Sequence, residues 1–129
     1  MSSSTDDHQP IFRAGGISYL RIPAPDPHRA AVFYRAVFGW QIDDDRRDPS
    51  FADGSGHVIG HFMKDLPVSG GGGVVPFIYV DRVTETVSMI TANGGEVVTA
   101  PYAEGNLWVA LFLDPSGNRI GLWQRGPLD

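Results

Sequence analysis

The sequence contains no cysteine. That excludes disulfides, zinc–thiolate centres and thiol nucleophiles together. Charge is also sparse: Asp, Glu, Lys and Arg make up 19% of the 129 residues, against about 25% in an average soluble domain. Ten basic and fifteen acidic residues leave a net charge of −5. That balance is poorly suited to phosphate backbones, so nucleic acid is not an expected partner. No apolar run reaches the ~18 residues a membrane helix needs, so no membrane partner is expected either. The first ten residues have no basic start and no apolar stretch. They read as a solvated tail rather than a signal peptide, which makes the cytoplasm the expected location.

What is present suffices for a core. Hydrophobic residues make up 42%, enough for one domain or two half-size modules. Sixteen glycines and ten prolines cut the chain into short segments. Ile17 to Ile22 reads as a strand. Asp26 offers a helix N-cap and Pro27 a first helical residue whose missing N–H is no loss. Ala30, Phe33, Tyr34, Val37 and Phe38 follow at helical spacing, and Gly39 ends the run. Trp40 to Asp43, Phe51 to Ala52 and His57 to Met63 read as strands separated by turn-forming residues. Lys64 to Gly73 holds Pro67 and four consecutive glycines, a flexible linker. A phosphate-cradling loop would need Gly-Lys-Ser/Thr and a following helix.

The second half repeats the first. Val74 to Val80 reads as a strand and Val83 to Asn93 as a helix stopped by Gly94. Glu96 to Thr99, Leu107 to Leu113 and Arg119 to Trp123 read as strands, the last two joined by the turn Asp114-Pro115-Ser116-Gly117. Each half is strand, helix, strand, strand, strand. A single unit of that kind leaves an unpaired edge and an uncovered face, so the repeat is itself structural information. The expected organisation is a tail over 1–13, a first module over 14–66, the linker 67–73, a second module over 74–125 and a tail over 126–129.

Two segments resemble a known superfamily. Val32-Phe33-Tyr34-Arg35-Ala36-Val37-Phe38-Gly39-Trp40 is similar to the helix signature of the vicinal oxygen chelate superfamily. Phe112-Leu113-Asp114-Pro115-Ser116-Gly117-Asn118-Arg119-Ile120-Gly121-Leu122-Trp123 is similar to its C-terminal strand–turn–strand signature. That superfamily includes glyoxalase I, bleomycin-resistance proteins and extradiol dioxygenases. The resemblance implies an α+β fold: two βαβββ modules forming a curved, mostly antiparallel sheet around a cavity, with helices outside. It also implies four metal-ligand positions, which fall here on Ile17, Gly60, Val75 and Gly121. None of the four can coordinate a metal, so no metal and no cofactor are expected.

The strand faces carry the functional expectation. Side chains alternate across a strand. Leu20 and Ile22, Ile78 and Val80, and Ile120 and Leu122 form an aliphatic parity suited to packing under a helix. The opposite parity carries aromatic residues and arginine. Relatives of the fold curl the sheet around a cavity on that side, so the expected ligand cup is lined by Tyr19, Arg21, Phe62, Phe77, Tyr79, Arg119 and Trp123. Aromatic walls with a few placed polar groups suit a small-molecule pocket. Arg21 stands where the resemblance places an arginine for a substrate carboxylate, a task its bidentate fork fits.

Other chemistry is thinly supported. His57 and His61 are four apart, about 13 Å along a strand at ~3.3 Å per residue, too far for one ion without a bulge. Their parity points away from the expected cup. Trp108 shares parity with Ala110 and Phe112 and is expected in the core. The leading expectation is a metal-independent protein that binds a partly aromatic, acidic small molecule and forms a homodimer. The alternative is a metal-dependent lyase or isomerase related to lactoylglutathione lyase, with displaced ligands such as His57, His61 and Glu104.

Overall fold

The computed structural model describes residues 11–68 and 73–126. Most of the expected tails and of the glycine run lies outside them. The chain divides into two compact units, Met1–Leu66 and Pro67–Asp129. Each is a βαβββ module with its own four-stranded mixed sheet, and the class is α+β.

In the first unit, β1 (Tyr19–Pro23) leads into α1 (Pro27–Phe38), followed by β2 (Gln41–Asp43), β3 (Ser50–Ala52) and β4 (Ile59–Met63). The Asp26 carboxylate accepts from the Arg29 N–H at 3.2 Å and so caps α1. Gly39, at φ 70°, ends it by donating to the Arg35 carbonyl at 3.1 Å, a left-handed turn that glycine makes without strain. Strand order is β1-β4-β3-β2, with β1 and β4 parallel and the other pairs antiparallel. The helix turns Ala30, Ala31, Phe33 and Tyr34 inward. Tyr34 stacks on Trp40 at 4.5 Å and on Phe62 at 5.4 Å, and Phe51 lies 4.9 Å from both Trp40 and Phe62. Four rings thus fill the space between helix and sheet.

The second unit runs β5 (Phe77–Tyr79), α2 (Val83–Ala92), β6 (Glu96–Glu104), β7 (Leu107–Leu113) and β8 (Arg119–Arg125), in sheet order β5-β8-β7-β6. Val83, Ile90, Ala110, Phe112 and Leu122 are buried together on the helix side. Strand β6 runs past Pro101, beyond its expected end at Thr99. The β6–β7 register shifts between Thr99 and Tyr102, and such an irregularity accommodates a residue with no N–H to donate. Strand β5 begins three residues later than expected, just after Pro76. No helix among the described residues is long and apolar enough to cross a membrane.

The β7–β8 turn is held by one buried carboxylate. Asp114 Oδ1 accepts from the Ser116 and Asn118 N–H groups at 3.0 and 2.9 Å, and its Oδ2 accepts from Asn118 Nδ2 at 3.0 Å. Asp114→Ala removes the acceptor that these donors share. A loss of about 2–3 kcal/mol in urea unfolding is expected.

Candidate functional site

Each sheet has one face under its helix and one open face, and register decides which residues share them. In the first unit Ile22 pairs with Phe62 and Leu20 with Gly60, while Arg21 pairs with His61 and Tyr19 with Ile59. Phe62 is 0% exposed. It therefore belongs to the helix side, stacked on Tyr34, and not to the face that carries Tyr19 and Arg21. This corrects its expected place in the cup. Strand β4 has no purely aliphatic parity, so its pairing with β1 and not its own pattern decides which face Phe62 takes.

The same correction brings His61 onto the open face, where its parity was expected to turn it away. Tyr19, 43% exposed, places its hydroxyl 2.5 Å from His61 Nδ1. Arg21 is exposed beside them, and among the described residues it has no acidic partner. The row continues across the sheet: Arg21 opposes His61, His61 opposes Ser50, and Ser50 opposes Asp43. Asp43 is itself paired with Arg46 at 3.4 Å. His57 precedes β4, and its Nδ1 accepts from the Ile11 N–H at 3.1 Å. At the β3–β4 end of the sheet, Arg47 donates to Asp65 at 2.5 Å. That hydrogen bond, then the charges of Asp65 and Asp48, hold the guanidinium above its ordinary pKa. The group is exposed.

The second unit presents an aromatic counterpart. Phe77 opposes Gly121 and Tyr79 opposes Trp123. Phe77 is 48% and Tyr79 52% exposed. The Tyr79 and Trp123 rings meet edge to face at 4.8 Å and 72°. Trp123 opposes Val109, and Val109 opposes Tyr102. The row therefore carries an aromatic residue on three of its four strands, with Val109 between Trp123 and Tyr102, and Tyr102 is a member that the sequence reading missed. Arg119 shares the parity of Gly121 and Trp123 and is half-buried. The structure thus groups Phe77, Tyr79, Trp123 and Arg119 on one face, and Tyr19 and Arg21 on another. Glu104 ends β6 at the hairpin, opposite Leu107. Trp108 shares the face of Ala110 and Phe112 but is only half-buried. It lines a hollow of about 450 Å³ with Ala103, Gly105, Asn106, Leu107 and Gly126, none of them charged.

Residues 16–122 match the family model of the Glyoxalase/Bleomycin resistance protein/Dioxygenase superfamily. The chain belongs to this superfamily. Among curated relatives, two proteins carrying a glyoxylase name, CFP32, from Mycobacterium bovis and Mycobacterium tuberculosis, are 28% identical over 123 residues. The match covers 88% of this chain and 47% of theirs, so the chain spans about half the length of the curated relatives it matches. A superfamily enzyme from Burkholderia phytofirmans PsJN superposes with a TM-score of 0.70 at 22% identity, covering 84% of this chain and 97% of that one. TnmS3, an antibiotic-binding protein from Streptomyces sp. CB03234, superposes with a TM-score of 0.69 at 20% identity, covering 90% and 100%.

The metal positions implied by the superfamily do not fit a metal here. Ile17 and Val75 lie outside the strands and carry no donor. A Cβ on Gly60 would meet the Leu20 carbonyl oxygen at 2.0 Å, and one on Gly121 would meet the Phe77 ring at 2.3 Å. The Phe77 ring thus occupies the space that a donor from position 121 would need. Among the described residues, no three His, Asp or Glu side chains are grouped to hold an ion.

Proposed function

We propose that this member of the superfamily is a metal-independent small-molecule-binding protein, and that the open face of its second unit takes the aromatic part of a ligand. The observation that carries this reading is the row of Tyr79, Trp123 and Tyr102 with Phe77 beside it, large rings left half-exposed on a rigid sheet. Preplaced rings lose little side-chain freedom on binding, and each edge-to-face or offset contact with a ligand ring adds about 0.5–1.5 kcal/mol beyond buried area. The blocked position at Gly121, on the open face of the second unit, supports metal independence. The antibiotic-binding name of TnmS3 accords with a binding role. In the first unit, and independently of the aromatic face of the second, Arg21 is proposed as a partner for a carboxylate, since it is exposed and has no acidic partner among the described residues.

The test is tryptophan fluorescence during titration with anthraquinone-2-carboxylate, with and without EDTA. Saturable quenching is expected, unchanged by EDTA and reduced in Trp123→Phe to what Trp108, on the other face of the sheet, and Trp40, buried in the other unit, contribute. Tyr79→Ala is expected to weaken binding roughly fivefold to tenfold. Quenching that disappears with EDTA and returns with Ni²⁺ or Zn²⁺ overturns metal independence. Absence of saturable quenching overturns the aromatic-face reading.

A further inference from the structure

The open face of the first unit differs in kind from that of the second. Its row is polar where the other is aromatic, and its residues come from two strands held in fixed parallel register. We infer that Tyr19 and His61 form a hydrogen-bonded pair that, with Arg21, recognises a carboxylic acid bearing a hydroxyl group next to the carboxylate. The inference rests on the Arg21 part of the reading above and adds the two residues that select the hydroxyl.

Tyr19 Oη lies 2.5 Å from His61 Nδ1, with ring centroids 5.8 Å apart. A phenol is the better donor of the two groups and an unprotonated imidazole nitrogen the better acceptor. The Tyr19 hydroxyl therefore donates to Nδ1, and the histidine proton sits on Nε2. Two consequences follow. The Tyr19 oxygen has spent its only proton and can serve a ligand solely as acceptor. His61 is fixed as a donor through Nε2–H. Arg21, directly opposite His61 on the neighbouring strand, adds a guanidinium with nothing but donors.

The face therefore offers a cationic fork, an N–H donor and a phenolic oxygen acceptor on two neighbouring strands about 4.7–4.9 Å apart, with Tyr19 two residues along β1 from Arg21. A carboxylate satisfies the two donors and a neighbouring hydroxyl satisfies the acceptor. A carboxylate alone leaves the Tyr19 oxygen unanswered. Asp43 does not compete for Arg21, because it lies on the opposite edge strand, three strand spacings or about 14 Å away. Ser50, opposite His61 on β3, extends the polar row without adding charge.

The experiment compares two acids that differ only by that hydroxyl. Mandelate and phenylacetate are titrated into the full chain, with binding read by NMR chemical shifts of unit 1 amides. Mandelate is expected to bind roughly fivefold to tenfold more tightly, the worth of one net hydrogen bond. Tyr19→Phe is expected to bring that ratio close to one with phenylacetate affinity held within about twofold, His61→Gln lowers the ratio and weakens both acids through loss of a carboxylate donor, and Arg21→Gln weakens both acids. Thermal melts within a few degrees of the parent confirm that the variants fold. Two measurements need no variant: the affinity ratio itself, and the ¹⁵N shifts of the His61 ring, which are expected to place its proton on Nε2. Equal affinities in the parent chain, a ratio that survives both substitutions, or a proton on Nδ1 overturns the inference and leaves the Arg21 reading standing. If neither acid binds, the Arg21 reading fails and the inference falls with it.

Discussion

Phe62→Ala is expected to cost about 3–5 kcal/mol of stability, the range for emptying a buried aromatic site. The ring is fully buried and touches Tyr34 and Phe51, so its loss opens a void that Trp40 and Tyr34 can close only by leaving their own stack. Urea unfolding followed by fluorescence in a Trp108→Phe, Trp123→Phe background, where Trp40 inside that cluster is the remaining tryptophan, isolates the first unit. Phe77→Ala is the informative comparison, because Phe77 was expected on the same cup wall. Its ring is half-exposed on the open face, so its removal is expected to change stability by no more than about 1 kcal/mol while weakening binding of an aromatic acid. A Phe62→Ala variant that kept its stability but lost ligand would return Phe62 to the open face.

That pair of residues marks where sequence stopped being informative. Local signals placed α1 to the residue: the Asp26 cap, Pro27 and the left-handed Gly39 are all read within one turn of the helix. The Asp114 turn was equally plain, since a short-range Asp-Pro-Ser-Gly-Asn run carries its own hydrogen bonds. The start of α2 had no such signal. Arg82 gives no side-chain cap, and the Val83 N–H is instead satisfied by Gln124 Oε1 at 2.7 Å, from a residue 41 positions away. The faces of β1, β5 and β8 were legible because each has one aliphatic parity. Strand β4 alternates Ile59, His61 and Met63 with Gly60 and Phe62, and neither set is plainly the inner one. Its pairing with β1 settled the matter, and pairing is a long-range property. The Tyr19–His61 contact and the Tyr102 end of the aromatic row depend on the same cross-strand register, so both were out of reach of parity alone.

The two glycines at implied metal positions should respond very differently to a methyl group. In Gly60→Ala the new Cβ meets the Leu20 carbonyl oxygen at 2.0 Å and Phe51 Cζ at 2.6 Å. The first neighbour is backbone of the paired strand, so relief requires parting β1 from β4. A loss of about 3 kcal/mol or more is expected, at the upper end of overpacking effects. In Gly121→Ala the three nearest atoms all belong to the Phe77 ring, at 2.3–2.6 Å. That ring borders open space and can swing aside, so a loss of about 1 kcal/mol is expected. The decisive measurement is a double-mutant cycle by urea unfolding. In a Phe77→Ala background the penalty of Gly121→Ala should vanish, a coupling of about 1 kcal/mol between residues in contact. The penalty of Gly60→Ala should remain whole there, because its obstacle is a strand in the other unit. The physical content is that Phe77 and a side chain at position 121 compete for one volume. Where the superfamily builds a metal donor, this chain has placed an aromatic wall, and a Gly121→Ala variant that leaves the Phe77 ring undisturbed would refute that exchange.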